Sequence, residues 1–423
     1  MSSSKEFTDL RDALEASRKR AHPHPFTVIG LCEGATPFFL SALAQNELQN
    51  GRRAMFIFSG EGDAARAAAS LQACDINACH YPAKDYNFTL STTSRDYEHE
   101  RLLVLSKLIF TEDPLVVCTT PEAALQVTIP PEELIHLTLS ISQNGGLDLS
   151  RLTNALALGG YTRVELVEGP GQFAVRGGIA DIFPPSDAPY RIELFGDEID
   201  RIGNFDPVTQ RFTDYIDRDL LIPPCREIIL DEERRNLIKA CIKTQANKIL
   251  KKGQLSHAVT ILKEELTKLE NSADIPFLDK YLPVIYPDAP CLFNYFDGLI
   301  MLSDINALRD HMKSAENLLN ETIAELILSG ELSSFKQGTY CNSFERIEAA
   351  LGAMPSILLE SFSRSHPGLT IGGEFSFRTR HIPSYGGNAA LMREDLIPMV
   401  KNGYRVALLC ANMTEAKNVA SEL

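Results

Sequence analysis

The residues best placed to do chemistry follow the first strongly apolar run of this 423-residue chain. Residues 26–30 have the character of a short buried strand and residues 36–49 carry helical spacing. The intervening Gly30-Leu31-Cys32-Glu33-Gly34-Ala35-Thr36-Pro37 therefore occupies the strand-to-helix turn where a nucleotide-binding fold holds its phosphate loop. Such a loop, GxxxxGK followed by Ser or Thr, needs backbone donors, a lysine that reaches the phosphates and a hydroxyl for magnesium. Only Gly30 fits: Ala35 stands in place of the second glycine, Thr36 of the lysine and Pro37 of the magnesium ligand, while Glu33 adds negative charge. A second candidate is Asp304, after the apolar run 298–302. One carboxylate is present where magnesium and water activation would use a pair, and Asp304 fits better as the N-cap of a helix over 305–317. ATP hydrolysis by this chain is therefore not expected, and neither a GxSxG nor an HExxH pattern offers another catalytic centre.

A different chemistry is offered by Arg163, Arg176, Arg191 and Phe183. Residues 163–167, 190–195 and 198–202 alternate polar and apolar, and are broken by Gly169-Pro170-Gly171, Pro184-Pro185 and Gly196-Asp197, which predicts a small antiparallel sheet. Arginines on such a sheet form a local basic patch suited to bidentate pairing with carboxylates, and Phe183, ahead of two prolines, can anchor an interface. The alternative is that Phe183 is core and Arg191 pairs with Glu193 or Glu165 across the sheet. Gly177-Gly178 suggests a bulge or close backbone approach, and Gly196-Asp197 a type II′ turn.

These residues need a scaffold. Strand-like runs at 26–30, 53–58 and 115–118 alternate with helical stretches at 6–21, 36–49 and 62–73, which implies a parallel, doubly wound sheet. A long helical stretch over 231–270, interrupted at Gly253, follows the antiparallel region, and residues 404–410 and 414–423 predict one further strand and helix. The expected organisation is a degenerate nucleotide fold over 1–126, an antiparallel domain over 127–215, a return to the first domain with a linker over 216–380, and the start of a truncated α/β domain over 381–423. The fold class is thus multidomain α/β, with a small mainly antiparallel domain inserted in a parallel sheet. Net charge is −15, which disfavours nucleic acid on the bulk surface. Nine cysteines, none spaced as CxxC, support neither a disulfide framework nor a zinc site. No apolar run is long enough for a membrane helix and residues 1–20 are polar, so a cytoplasmic protein is expected.

The run from Gly160 through Gln172-Phe173-Ala174-Val175-Arg176-Gly177-Gly178, Asp181-Ile182-Phe183-Pro184 and Tyr190-Arg191-Ile192-Glu193-Leu194-Phe195-Gly196-Asp197-Glu198 resembles domain 2 of the excision-repair protein UvrB. It resembles still more closely the UvrB-like head of the Mfd family of transcription-repair coupling factors. The likeness extends to Tyr81-Pro82-Ala83-Lys84-Asp85, Glu98-His99-Glu100-Arg101-Leu102 and Asp279-Lys280-Tyr281-Leu282-Pro283. UvrB has an intact phosphate loop and a long aromatic hairpin that clamps DNA; here the loop is lost, and the 13 residues between Tyr81 and Arg95 are too few for that hairpin. By this resemblance the chain is a UvrB-like domain 1a, domain 2 and domain 1b whose role is to recruit UvrA to lesions where RNA polymerase has stalled. The family's UvrA-contacting residues fall at Arg163, Arg176, Phe183 and Arg191, while a further UvrB arginine is Ala174 here. The resemblance also implies that contacts with RNA polymerase and DNA, and the ATP and magnesium of a translocase motor, belong to domains beyond Leu423, leaving no cofactor in this part. The competing expectation is a divergent, UvrB-like ATP-dependent helicase, which would have to bind nucleotide despite Ala35, Thr36 and Pro37.

Overall fold

A computed structural model describes residues 4–89, 95–143, 145–185, 188–251, 257–271, 275–332, 338–410 and 412–422. Four strands come first, β1 (Phe26–Ile29), β2 (Ala54–Ile57), β3 (Ala78–Tyr81) and β4 (Val116–Thr119). Eight more follow, β5 (Leu139–Ile141), β6 (Thr162–Arg163), β7 (Gln172–Arg176), β8 (Ile179–Phe183), β9 (Tyr190–Phe195), β10 (Glu198–Phe205), β11 (Phe212–Tyr215) and β12 (Leu220–Ile222). The chain then returns through β13 (Leu299–Ser303), β14 (Ser356–Leu359) and β15 (Gly373–Ser376). Strands β15-β1-β14-β13-β2-β4-β3 form one sheet whose pairings are all parallel. Its central strands are apolar on both faces because helices cover both, and Ala54, Met55, Phe56 and Ile57 are all fully buried. Met55, Ile57, Val117 and Leu302 join one core with Leu102, Leu105 and Leu308. Phe56, Val116, Cys118 and Met301 join the other with Phe39, Leu43 and Ala68.

The antiparallel unit is inserted between β4 and β13. Its six-stranded sheet runs β11-β10-β9-β8-β7-β6, and a separate β5–β12 ribbon brings its entry and exit together. The insertion therefore spans 139–222, with both ends later in the chain than the expected 127–215. The physical reason is packing: Ile129 and Leu134 lie in the core of the parallel sheet, so the segment before Leu139 belongs to the body.

The insert is fastened to the body by buried charge. Arg101, fully buried, places Nε 2.5 Å from Glu227 Oε1 and its guanidinium 4.4 Å from the Tyr81 ring centre. Lys84 pairs with Asp279 at 2.7 Å, and Arg226 with Glu98 at 3.1 Å. The three sequence segments at 81–85, 98–102 and 279–283 thus meet in one network, just after the insert's exit strand. Burial alone would raise the Glu98 carboxyl, but Arg226, Lys84 and the Glu227 N–H outweigh it and hold it at about 2.

Beyond β12, helices Glu232–Lys251 and His257–Asn271 pack on each other, one on either side of the expected interruption; Gly253 lies outside the described residues. Near the C-terminus, the strand expected over 404–410 does not form, although helix Met413–Glu422 does. A strand needs a ladder partner, and 404–410 pairs with no strand among the described residues, leaving Leu409 exposed.

Candidate functional site

The open face of the inserted sheet is built by two glycine-first turns. Gly177 (φ 56°) joins β7 to β8 and Gly196 (φ 65°) joins β9 to β10; the second agrees with the expected turn, while Gly177-Gly178 is a hairpin turn and no bulge, with the expected close backbone approach at Gly178, where a Cβ would sit 2.9 Å from the Leu194 carbonyl oxygen. The resulting register sorts the side chains by alternation. Phe173, Ala180, Ile182, Ile192 and Ile202 pack inward with Leu152 and Leu156 of helix Leu149–Leu158. On the other face Ala174, Asp181, Arg191 and Gly203 stand in one cross-strand row.

Asp181 is the centre of that face and is fully buried. Its Oδ1 accepts from Arg191 Nε at 2.6 Å, and its Oδ2 accepts from Arg191 Nη2 at 2.9 Å and from Arg176 Nη2 at 2.7 Å. Arg191 is 9% exposed, donates Nη1 to the Gln210 carbonyl at 2.8 Å and lies 4.8 Å over the Phe205 ring. Arg176, with 46% of its side chain exposed, is the outward arginine of the pair. Glu193 belongs to Arg201, at 2.5 Å, so the cross-sheet partner of Arg191 is Asp181 and neither Glu193 nor Glu165. Register explains this, since Asp181 stands opposite Arg191 and Glu193 opposite Arg201.

The four expected contact residues are thus dispersed. Arg176, Arg191 and Phe183 share one face, with Phe183 half-buried against Val167, Ala174 and Phe205. Arg163 is exposed on edge strand β6, where it is in register with Phe173 and so faces away from Asp181. The three arginines therefore do not make one basic patch. Sequence reasoning missed Asp181, Arg201 and Phe195, the last 84% exposed at the end of β9. The period of two in Arg191, Glu193 and Phe195 was the available signal for a shared face.

The turn after β1 contributes to a second site. Thr36, Pro37 and Asp304 line an open cleft of about 520 Å³ with Glu33, Asp63 and Glu360, at the carboxyl ends of β1, β13 and β14, where open parallel sheets bind ligands. Gly30 and Ala35 lie in the loop beside it. Backbone donors of this loop are engaged within the chain. Cys32 N–H donates to Thr379 Oγ1 at 2.7 Å, and the Ala35 and Thr36 N–H groups both donate to the Cys32 carbonyl, so these donors are already spent. Gly30 is at φ 79°, and a Cβ there would sit 2.1 Å from the Phe377 carbonyl oxygen, so the backbone of the segment at Phe377 packs directly on this glycine. Asp304 caps helix Ile305–Ser329, accepting from Ala307 N–H, and is paired with Arg364 at 3.2 Å. Burial raises the Glu360 carboxyl above its ordinary range. Four carboxylates line the cleft, Asp63 paired with Arg66, which also lines it, and Asp304 and Glu360 paired with Arg364.

No helix among the described residues is long and apolar enough to cross a membrane. Residues 139–226 match the UvrB interaction domain, in agreement with the limits that β5 and β12 set for the insert. A transcription-repair-coupling factor of Bacillus subtilis strain 168 is 26% identical over 408 residues, 93% of this chain and 34% of the relative. Those of Staphylococcus haemolyticus strain JCSC1435 (27% over 356 residues, covering 81% and 29%) and Staphylococcus aureus strain MRSA252 (26% over 396 residues, covering 91% and 33%) agree. The chain spans about one third of the length of these curated relatives. Along nearly its whole length the chain is thus similar to part of the transcription-repair-coupling factors, with the match to the UvrB interaction domain lying within that stretch.

Proposed function

We propose that this chain is a protein-interaction module of a transcription-repair coupling factor, and that the inserted sheet docks UvrA so that the damage-recognition protein is delivered where RNA polymerase has stalled. The observation that supports this most is the coincidence of the matched UvrB interaction domain with a solvent-facing sheet on which Arg176 is exposed and braced from below. Contacts by Arg176 and Phe183 on this face are direct in this reading, and Arg163 reaches the partner from the edge strand β6. Arg191, buried against Asp181 and Gln210, contributes by shaping the face and by the edge it leaves exposed.

The body is a scaffold without ATPase activity in this reading, because its phosphate loop is closed on itself and its cleft is acidic. Contacts with RNA polymerase and DNA, and the use of ATP and magnesium, are assigned to the parts of the longer relatives that this chain does not span, and the whole works in the cytoplasm. The test is calorimetric titration of cognate UvrA into the chain and into an Arg163→Glu, Arg176→Ala variant. Binding that weakens at least tenfold, about 1.4 kcal/mol, at unchanged melting temperature is expected. Equal affinity would move the dock off this sheet.

A further inference from the structure

We propose that Asp181 is the positioning residue of the docking face: it holds one Nη2 hydrogen of Arg176 so that the remaining fork of the guanidinium meets a carboxylate of the partner. The inference rests on the reading of this face as the UvrA dock and adds to it the chemistry of the contact.

Asp181 is fully buried, in the middle of three strands, with Ala174 opposite it on β7 and Arg191 opposite it on β9. A buried carboxylate is retained only if it is paired, and Asp181 is paired twice. Arg191 satisfies it from within the sheet by a two-point fork, so the fold alone does not require Arg176. Arg176 nevertheless spends only Nη2 on Asp181, while nearly half of its side chain stays exposed. Among the described residues its Nε and Nη1 donate to no other group of the chain. The guanidinium is thus held at one corner, and the second hydrogen of Nη2, with Nη1 or Nε beside it, leaves one planar fork for bidentate capture of a carboxylate. Charge agrees: two guanidinium groups on one carboxylate leave a local excess of one positive charge in a chain of net charge −15. Holding the side chain before binding reduces the rotamer entropy that docking would otherwise cost.

The experiment is a double-mutant cycle on the full chain, with Arg176→Ala, Asp181→Asn and both together, read by calorimetric titration with purified cognate UvrA. Each single change is expected to weaken binding about tenfold or more, and the double variant to be no weaker than the worse single by more than about twofold. Losses that multiply would show that Asp181 acts on the fold independently of Arg176 and would overturn the proposal. Should Asp181→Asn fail to fold by circular dichroism, Arg176→Lys decides, since it keeps the charge at a half-exposed position but lacks the fork. A loss of about tenfold supports the proposal and undiminished affinity overturns it. An unaltered chain that does not bind UvrA would overturn the docking reading and this inference together. Multiplying losses with normal binding by the unaltered chain would remove this inference alone.

Discussion

Replacing Arg101 by Met tests whether buried charge fastens the insert to the body. Arg101 is fully buried, and its removal leaves the Glu227 carboxylate, 1% exposed, with Lys84 Nζ at 3.9 Å as its one ion-pair partner among the described residues. Donations from Arg101 Nη1 to the Pro82 and Ala123 carbonyls at 3.0 and 3.3 Å, and the stacking on Tyr81, go as well. Breaking a buried pair from one side costs about 3–5 kcal/mol, and for a unit of this size each kcal/mol lowers the melting temperature by about 2–4 °C, so a drop of roughly 6–20 °C is expected. The pair is not ideally satisfied, since Arg101 Nη2 and Glu227 Oε2 make no hydrogen bond. Its net contribution relative to apolar side chains is correspondingly small, and Arg101→Met with Glu227→Leu should recover most of the loss. The assay is differential scanning calorimetry of both single variants and the double variant. Singles costing less than about 1 kcal/mol, or a double variant as unstable as the two losses added, would refute the reasoning.

Glu98 makes the same junction sensitive to acid. Its folded carboxyl lies at about 2, below the ordinary 4.5, so its contribution is present above about 4.5 and is lost as pH falls towards 2. Glu98→Gln should lower stability at pH 7 and flatten that acid limb in urea melts at pH 7 and pH 3; an unchanged limb would contradict the assignment. Gly30→Ala should destabilise the body by about 2–5 kcal/mol, because the added Cβ meets the Phe377 carbonyl at a positive φ; a melting temperature within a degree of the unaltered chain would refute this. Titration with ATP and magnesium at millimolar concentration should give no binding heat, and a saturable heat would return the cleft to nucleotide chemistry.

Much of this protein was legible in sequence because hydrophobic period and turn residues are local properties. Apolar runs of four to six residues flanked by helical spacing marked β1, β2 and the neighbourhood of β4, and alternation broken by glycine and proline marked the inserted sheet. The departures of Ala35, Thr36 and Pro37 from a phosphate loop were equally plain, since that motif is defined by residue type at fixed spacing. Strands β3 and β15 were not found, because Ala78-Cys79-His80-Tyr81 and Gly373-Glu374-Phe375-Ser376 have a weaker apolar signal and are strands by pairing with β4 and β1, while β14 was passed over although Ile357 and Leu358 are apolar and buried. Residues 404–410 show the converse: strong strand character, no partner and no strand.

The site divided along the same line. Residue type alone showed that arginines and an aromatic ring were available for recognition. Which arginine faces outward was decided by register, which is a relation between strands and is written in no single one of them. Register set Asp181 beside Arg191 and Glu193 beside Arg201, buried the first arginine pair around a carboxylate that sequence reasoning passed over, turned Arg163 to the other face and left Arg176 exposed. The same holds for the cleft, where only the fold could bring Thr379 and Phe377, more than three hundred residues away in the chain, onto the loop after β1. Chemical identity is local and was determined by the sequence; partnership, burial and exposure depend on contacts between distant segments, and the tertiary structure decided them.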